Sequence, residues 1–230
     1  GLFGLGMLGG GLAISLIPSS WIPPSTAPLR SMALIGWAAT IGSLLFCVPA
    51  LLLARSLPLP EGATPPTTAR RGIWMGVAGF LIAIPLIQTG AMLGQLVQQW
   101  LSDATPNLIA HETLSALVSV TPDIWWWMVA ANAVIGAPVI EEILYRGFLQ
   151  QAFRRAGAGA WPAILLTGSI FALMHYTVLP PDTAISALTA LLLLAIALGM
   201  IRERTGLIAP CIIAHAIFNA LNLGLAVWLA

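Results

Sequence analysis

The stretch Val139-Ile-Glu-Glu-Ile-Leu-Tyr-Arg-Gly-Phe148 places two adjacent carboxylates and an arginine inside a strongly apolar sequence. Charged residues make up only 7% of the 230 residues, against about 25% in ordinary soluble domains. Glu142 and Arg146 are four positions apart, which puts them on one face of a helix with the carboxylate on the N-terminal side. Glu141 points about 100° away from that face, so it has no predicted partner on its own helix.

The chain as a whole is apolar enough to be a membrane protein. Hydrophobic residues make up 59% of it, and a helix of about 20 apolar residues spans the hydrocarbon core of a bilayer. Apolar segments near this length cover residues 31–54, 72–101, 123–153, 161–178, 183–201 and 207–229. The shorter stretch 2–17 is a seventh candidate. We therefore predict an all-α transmembrane bundle of six to seven helices around a polar intramembrane cavity.

We expect one membrane domain with two regions. Residues 1–122 supply the N-terminal membrane helices, and residues 123–230 form a helical core that carries the polar motifs. The proline-rich loop at about 55–71 is predicted to be solvated, because its prolines do not suit a helix. Residues 107–120 are typical of a short amphipathic helix at the membrane surface.

The arginines indicate how the spans are oriented. They fall in alternate loops and at the ends of alternate spans, as Arg55, Arg70, Arg71, Arg154, Arg155, Arg202 and Arg204. The positive-inside rule places these ends in the cytoplasm. The loops near 102–122 and 179–182 contain no Lys or Arg and are expected on the other side, where Arg30 is the single exception. This alternation supports the assignment of the spans.

Polar and ionisable side chains recur inside three of the spans. They are Asn132, Glu141, Glu142 and Arg146 in the third full span, His175 near the end of the fourth, and His215, Asn219 and Asn222 in the sixth. Such residues are costly in a bilayer and indicate functional sites by default. At a rise of ~1.5 Å per residue, the residues Glu141, His175, His215 and Asn219 lie about 12 to 21 Å from the cytoplasmic ends. Because the four share one layer, we expect them to face one wet cavity.

This set of side chains suits the hydrolysis of a peptide bond by an activated water. Burial disfavours the charged form of a carboxylate, which makes a glutamate within the bilayer a stronger base. We expect Glu141 and His175 to hold and deprotonate a water, and Glu141 to return the proton to the leaving amine. His215 and Asn219 would donate hydrogen bonds to the oxyanion that forms on the attacked carbonyl.

The pair of Glu142 and Arg146 has a supporting role in this hypothesis, since Arg146 would keep Glu142 ionised and hold the helix around the base. Two other classes of function stay open for the same residues. A binding or bacteriocin-immunity protein would use the cavity without chemistry. A proton-coupled carrier would also have Glu and His within the membrane, although the inverted repeats typical of many carriers are not evident.

A zinc protease is the main alternative mechanism. Glu141, His175 and His215 are residues of the types that bind zinc, and three ligands would leave a fourth position for water. The motif His-Glu-x-x-His is absent, because His111-Glu112 lacks the second histidine, and we interpret that pair as interfacial. The Gly-x-Ser-x-Gly motif of serine hydrolases is absent as well. We favour a mechanism without metal or other cofactor and keep zinc as the alternative.

Three motifs follow one another in the core, namely Glu141-Glu142-x-x-x-Arg146, Phe171-x-x-x-His175 and His215-x-x-x-Asn219. In this order they resemble the motifs of the CAAX-protease and bacteriocin-processing (CPBP, or Abi) family of intramembrane endopeptidases. The resemblance covers about residues 123–225. It implies a glutamate-dependent intramembrane protease with a conical, helix-lined cavity, in which these residues have the roles given above.

The expected partners and location follow from these predictions. The substrate would be a membrane-embedded or lipid-modified peptide or protein in contact with the lipid bilayer, and no basic tract suggests a nucleic acid. The sequence indicates no particular oligomeric state. It contains no lysine and is rich in Ala, Gly, Pro and Trp, which resembles proteins of bacteria with GC-rich DNA. We therefore expect an integral protein of the bacterial inner (cytoplasmic) membrane.

Overall fold

A computed structural model of the protein describes residues 2–22, 28–54, 59–102 and 112–229, with the side chains of all of these except 2, 53, 54, 102 and 112. These residues form helices and short connections, and none of them lies in a β-strand. The main helices are α1 (Leu2–Ser15), α2 (Pro28–Ala54), α3 (Ala69–Ser102), α4 (Glu112–Val118), α5 (Ile124–Arg155), α6 (Ala160–Met174), α7 (Ala184–Thr205) and α8 (Ala209–Leu229). The predicted all-α fold is confirmed.

Six of these helices are long and apolar enough to cross a membrane, namely α2, α3, α5, α6 with the turn that follows it, α7 and α8. They coincide with the six full spans predicted from the sequence, with bounds that differ by a few residues. Helix α1 is apolar but shorter, and it corresponds to the seventh candidate. Helix α4 occupies part of the predicted segment 107–120; His111 and the residues before it in that segment lie outside the described residues.

Helix α5 carries the two glutamates and contacts six other helices, α1, α2, α4, α6, α7 and α8. Helix α3 packs against α7 and α8. The N-terminal helices α1 and α2 approach each other closely, since a Cβ on Gly9 would lie 2.7 Å from the carbonyl oxygen of Gly42. Small residues allow the backbones of membrane helices to come together in this way. The pair α1 and α2 therefore packs as a unit against the helix with the charged motif.

Helix α5 is not α-helical throughout. Two stretches, Asn132–Gly136 and Ile143–Leu149, are π-helical. They flank the α-helical segment Ala137–Glu142, which ends with the two glutamates. Wide turns of this kind are rare and often lie at functional sites. The charged motif thus begins in a short α-helical segment that is bounded on both sides by irregular helix.

In the first π-helical stretch, which we call the first wide turn, the carbonyl oxygen of Ala133 needs a hydrogen-bond donor from another helix. The cause is a proline. The N–H of Ala137 donates to the carbonyl oxygen of Asn132, five residues earlier. The next N–H in this pattern would come from Pro138, which has none. The carbonyl oxygen of Ala133 therefore loses the backbone donor that a continuous helix would supply. A buried carbonyl without a donor costs about as much free energy as a lost hydrogen bond.

The arginine-bearing helix ends lie together at one end of the bundle. Nη2 of Arg154 donates to the backbone oxygen of Glu61 in the proline-rich loop over 2.9 Å, and a backbone hydrogen bond joins this loop to the last residue of α7. Arg30 lies at the opposite end, 5.4 Å above an aromatic ring at the start of α5. Arg55 lies outside the described residues. The grouping agrees with the predicted alternation, and the cytoplasmic location of this end stays a prediction.

Candidate active site

Glu142, Arg146 and His215 form a buried charged cluster where α5 meets α8. The side chains of Glu142 and Arg146 have no exposed surface. Oε1 of Glu142 lies 2.8 Å from Nη1 of Arg146 and 2.8 Å from Nδ1 of His215. Nη2 of Arg146 also donates to the carbonyl oxygen of Ala195 on α7 over 3.1 Å. The intrahelical ion pair predicted from the four-residue spacing is confirmed, and it is anchored to two further helices.

The surroundings of His215 determine which ring nitrogen faces the other glutamate. Because Glu142 pairs with a guanidinium, its carboxylate is an acceptor, and Nδ1 of His215 donates to it. Nε2 of His215 then points toward Glu141, whose Oε2 lies 3.8 Å away. A carboxylate on Nδ1 holds an imidazole in one tautomer and one orientation, as in the triads of serine proteases. Nε2 is therefore the atom of His215 that is available for chemistry.

Glu141 differs from its neighbour in both exposure and partners. Its side chain is 24% exposed, whereas that of Glu142 is 0% exposed. Its ion-pair contact is to His215, which belongs to α8. The distinction predicted between the two carboxylates is confirmed, since Glu142 is paired within its own helix and Glu141 is not. Of the two, only Glu141 has exposed side-chain surface.

His175 joins the cluster through Phe171, which is fully buried. The ring centres of His175 and His215 lie 4.7 and 5.8 Å from that of Phe171. The guanidinium of Arg146 stacks over the same ring at 4.9 Å. Nδ1 of His175 donates to the carbonyl oxygen of Phe171 over 2.8 Å, because a carbonyl only accepts. Nε2 of the neutral His175 ring is left as an acceptor.

The sequence predicts that Glu141 and His175 share a water, and the structure shows which direct contacts each of them makes. No hydrogen bond or ion pair joins these two side chains, both of which the structure describes; Glu141 meets His215 instead. The reason is that Nδ1 of His175 bonds to its own helix and its ring packs on Phe171. A water shared by Glu141 and His175 stays a prediction.

Asn219 supplies the donor that the proline in α5 removes. Its Nδ2 donates to the carbonyl oxygen of Ala133 over 2.8 Å, the carbonyl that Pro138 leaves without a backbone partner. An amide nitrogen carries two hydrogens, so one remains for another acceptor. Asn222, one turn further along α8, donates to the carbonyl oxygen of Phe218 in its own helix. Asn219 therefore ties α8 to α5, and its predicted role at the oxyanion stays open.

The residues named for a zinc site do not fit a metal ion in this arrangement. Among the described residues, no group of three or more His, Cys, Asp or Glu side chains is placed to hold one. Nδ1 of His215 is bonded to Glu142, and Nδ1 of His175 is bonded to a backbone carbonyl. The remaining donors, Nε2 of each ring and the carboxylate of Glu141, are not gathered around one point.

The buried polar residues of α5 extend beyond the predicted motif. Gln150, with no exposed surface, donates from Nε2 to the carbonyl oxygen of Gly199 at 3.2 Å and to Oε1 of Glu203 at 2.9 Å. Nε of Arg154 lies 3.4 Å from Oε2 of the same glutamate. Sequence reasoning placed Arg154 at the end of the third full span, used it only for orientation, and did not consider Gln150. The sequence did contain a signal for Gln150 and Arg154, because both continue the four-residue spacing from Glu142 and so lie on the same helical face.

Two residues of α2 that the sequence analysis did not identify donate hydrogen bonds to α5. Nε1 of Trp37 on α2 donates to the carbonyl oxygen of Met128 over 3.0 Å. Oγ1 of Thr40, one turn later, donates to Oδ1 of Asn132 over 3.0 Å. These acceptors lie just before and at the start of the first wide turn. No spacing rule within α5 identifies such partners, because they come from another helix.

Comparison with known proteins gives one match. Residues 123–221 match the family model described as Rce1-like, type II CAAX prenyl endopeptidase Rce1-like. The match begins one residue before α5 and includes both glutamates, both histidines and Asn219. No curated protein and no solved structure matches the chain. The matched range therefore includes every residue of the buried cluster.

Proposed function

Because residues 123–221 match the family model described as Rce1-like, type II CAAX prenyl endopeptidase Rce1-like, we propose that this integral membrane protein is a CAAX-type intramembrane protease. Its substrate would be a membrane-associated peptide or protein, with lipid-modified chains included. Glutamate and histidine side chains would activate the hydrolytic water without a metal. The supporting observation is the position of His215 between two carboxylates, with Nδ1 at 2.8 Å from Glu142 and Nε2 at 3.8 Å from Glu141.

The first step in this proposal is the activation of water. Glu141 is the partly exposed carboxylate of the cluster and accepts a proton from a water molecule. Nε2 of His175, free because Nδ1 donates to a backbone carbonyl, accepts the other hydrogen bond of that water. The water oxygen forms a bond to the carbon of the scissile carbonyl, and the carbonyl oxygen becomes negatively charged. General-base catalysis of this kind contributes about 10²–10⁴-fold to a rate.

The second step is stabilisation of the oxyanion. In this proposal His215 is an imidazolium throughout the cycle, so Nε2 donates a hydrogen bond to the oxyanion and keeps its proton, and the carboxylate of Glu142 on the other nitrogen balances the charge. Arg146 bonds to the same carboxylate oxygen, and a charge-assisted hydrogen bond of this kind holds Glu142 in position. The second amide hydrogen of Asn219 is the other donor, on a side chain already fixed by its bond to α5. Fixed donors need no reorganisation when the negative charge develops.

The third step is the breakdown of the tetrahedral intermediate. The carbon–nitrogen bond breaks, and Glu141 gives the proton that it took from water to the leaving nitrogen. The products are a carboxyl group on one fragment and an amine on the other, and Glu141 returns to its starting form. One carboxylate thus acts first as base and then as acid, as in other hydrolases that use a single glutamate.

Cleavage assays with the full chain in liposomes test the proposal. We expect the variants Glu141→Gln and His175→Ala to cleave a prenylated CAAX peptide at a rate lower by about 10²-fold or more, while they insert and unfold like the wild type. Glu61→Gln is a matched control, because Glu61 is exposed in the proline-rich loop and uses its backbone oxygen in the structure. Cleavage at the wild-type rate by both Glu141→Gln and His175→Ala would contradict the proposal.

A further inference from the structure

Helix α5 presents a continuous row of buried polar side chains, which we call the polar ladder: Glu142, Arg146, Gln150 and Arg154. The four are spaced by four residues, and each is 9% exposed or less. Donors of Arg146 and Gln150 point at α7, where the carbonyl oxygens of Ala195 and Gly199 and the carboxylate of Glu203 accept hydrogen bonds. The ladder runs from the arginine-bearing end of the bundle to the Glu142–His215 contact.

The polar ladder contains atoms that have no hydrogen-bond partner in the protein. These atoms are Oε2 of Glu142, Nε of Arg146 and Oε1 of Gln150, each fully buried. Nε of Arg154 has only its ion-pair contact to Glu203 at 3.4 Å. A buried polar atom without a partner is costly, and native proteins pair almost all such atoms with protein or with ordered water. Several of them in one row indicate a common ligand.

Helix α6 adds one more unpartnered atom beside the ladder. Oγ1 of Thr167 has no hydrogen bond, although the residue is only 1% exposed. Its neighbours on the same helical face are Ile164, which lies close to the ladder, and Phe171, which contacts it. A Cβ on Gly199 would meet Ile164 at 3.0 Å and Oε1 of Gln150 at 3.3 Å, and Phe171 packs under the guanidinium of Arg146. Of the unpartnered side-chain atoms found in the described residues, only Nε of Arg30 lies elsewhere.

We propose that a file of internal water molecules binds along the polar ladder and connects the arginine-bearing end with the Glu142–His215 pair. A buried water typically makes about three hydrogen bonds to otherwise unpaired polar groups. The ladder offers donors and acceptors in alternation, from the carboxylate of Glu142 through the guanidinium of Arg146 to the amide oxygen of Gln150. The hydroxyl of Thr167 completes the set. This proposal concerns hydration of the protein and does not depend on the reaction that it catalyses.

Hydroxyl-radical footprinting in H₂¹⁸O tests the proposal on the wild-type protein in liposomes, without substrate. Radicals formed from a bound internal water oxidise the side chains beside it. Ile164 and Ile87 form a matched pair, since they are 3% and 1% exposed and only Ile164 lies beside the ladder, while Ile87 lies in an apolar cluster. We expect ¹⁸O labelling of Ile164 at least five-fold above that of Ile87. Equal labelling of the two would overturn the proposal.

The variant Thr167→Val tests the proposal independently, through the direction in which the melting temperature changes. If no water binds the hydroxyl, its replacement by a methyl group of the same shape removes an unpaired polar atom. The melting temperature is then unchanged or higher. If the hydroxyl binds water, the same change removes a hydrogen bond and lowers the melting temperature, which is the result we expect. Thr189→Val is the control, because the hydroxyl of Thr189 bonds to the carbonyl of Ile185 in its own helix. A melting temperature of Thr167→Val at or above that of wild type would count against the water file.

Discussion

Nδ1 of His215 lies 2.8 Å from Oε1 of Glu142, although the two residues are 73 positions apart. The same oxygen accepts from Arg146 at 2.8 Å. Glu142 thus orients the histidine of another helix while it is itself held by an arginine of its own helix. The structure therefore gives the supporting glutamate a specific effect, which is to leave Nε2 of His215 facing Glu141 at 3.8 Å.

The buried pair of Glu142 and Arg146 should show strong thermodynamic coupling. Arg146→Met leaves the carboxylate of Glu142 buried without its cation, and Glu142→Gln leaves the guanidinium buried without its anion. We expect each single change to destabilise the protein by about 3–5 kcal/mol, because it uncovers an unpaired buried charge. The double variant should recover much of this loss, as neutral replacements of buried pairs often do. Unfolding of the four proteins in detergent measures the coupling.

Activity should not recover with stability in that double variant. Without the carboxylate of Glu142, the ring of His215 loses the partner that orients it and balances its charge, so cleavage stays at least about 10²-fold below wild type. If the double variant cleaved substrate at the wild-type rate, Glu142 would have no part in orienting His215. Stability losses that simply add in the double variant would contradict the buried pair itself.

Asn219 and Asn222 offer a comparison of two asparagines one turn apart. Asn219→Ala should lower the cleavage rate by about 10²–10³-fold through loss of an oxyanion donor. It should also lower stability by about 1–3 kcal/mol, because the carbonyl of Ala133 is left unpaired. Asn222→Ala should change neither quantity much, because that amide bonds within its own helix. Equal loss of activity in both variants would contradict the assignment.

Thr40 on α2 should affect the reaction although it lies outside the residues matched by the family model. Thr40→Val removes the donor to Asn132 at constant shape, and we expect kcat to fall several-fold with KM unchanged, since the start of the first wide turn loses its anchor. Thr40→Ser keeps the hydroxyl and should restore wild-type kcat. Steady-state kinetics on both variants separates this effect from a general loss of folded protein. A Thr40→Ser variant as slow as Thr40→Val would exclude the hydrogen bond as the cause.

Metal removal should leave the activity unchanged. The carboxylate of Glu141 and the rings of His175 and His215 are not gathered around one point in the structure, and the proposed mechanism needs no Lewis acid. We expect protein purified without chelators to retain its cleavage rate after dialysis against EDTA and 1,10-phenanthroline. Elemental analysis accompanies the assay. Stoichiometric zinc that leaves together with activity would replace the proposed mechanism with a zinc-dependent one.

The features predicted correctly are those that depend on residues close together in the sequence. The six spans follow from runs of apolar residues, and their observed bounds differ from the predicted ones by a few positions. The Glu142–Arg146 pair follows from the geometry of one helix turn. The different environments of Glu141 and Glu142 follow from the same geometry. The family resemblance rested on the same motifs and is matched over residues 123–221.

The sequence by itself therefore determined the membrane-spanning helices and the contacts within each helix, because chain length and helical period are local properties. Only the tertiary structure decided which residues of different helices meet. It pairs His215 with Glu142 and Glu141, and it assigns Asn219 to a carbonyl of α5. The physical reason is that the wide turns of α5 and the removal of a donor by Pro138 change which groups face outward. The packing of the neighbouring helices then decides which side chains bond to these groups of α5.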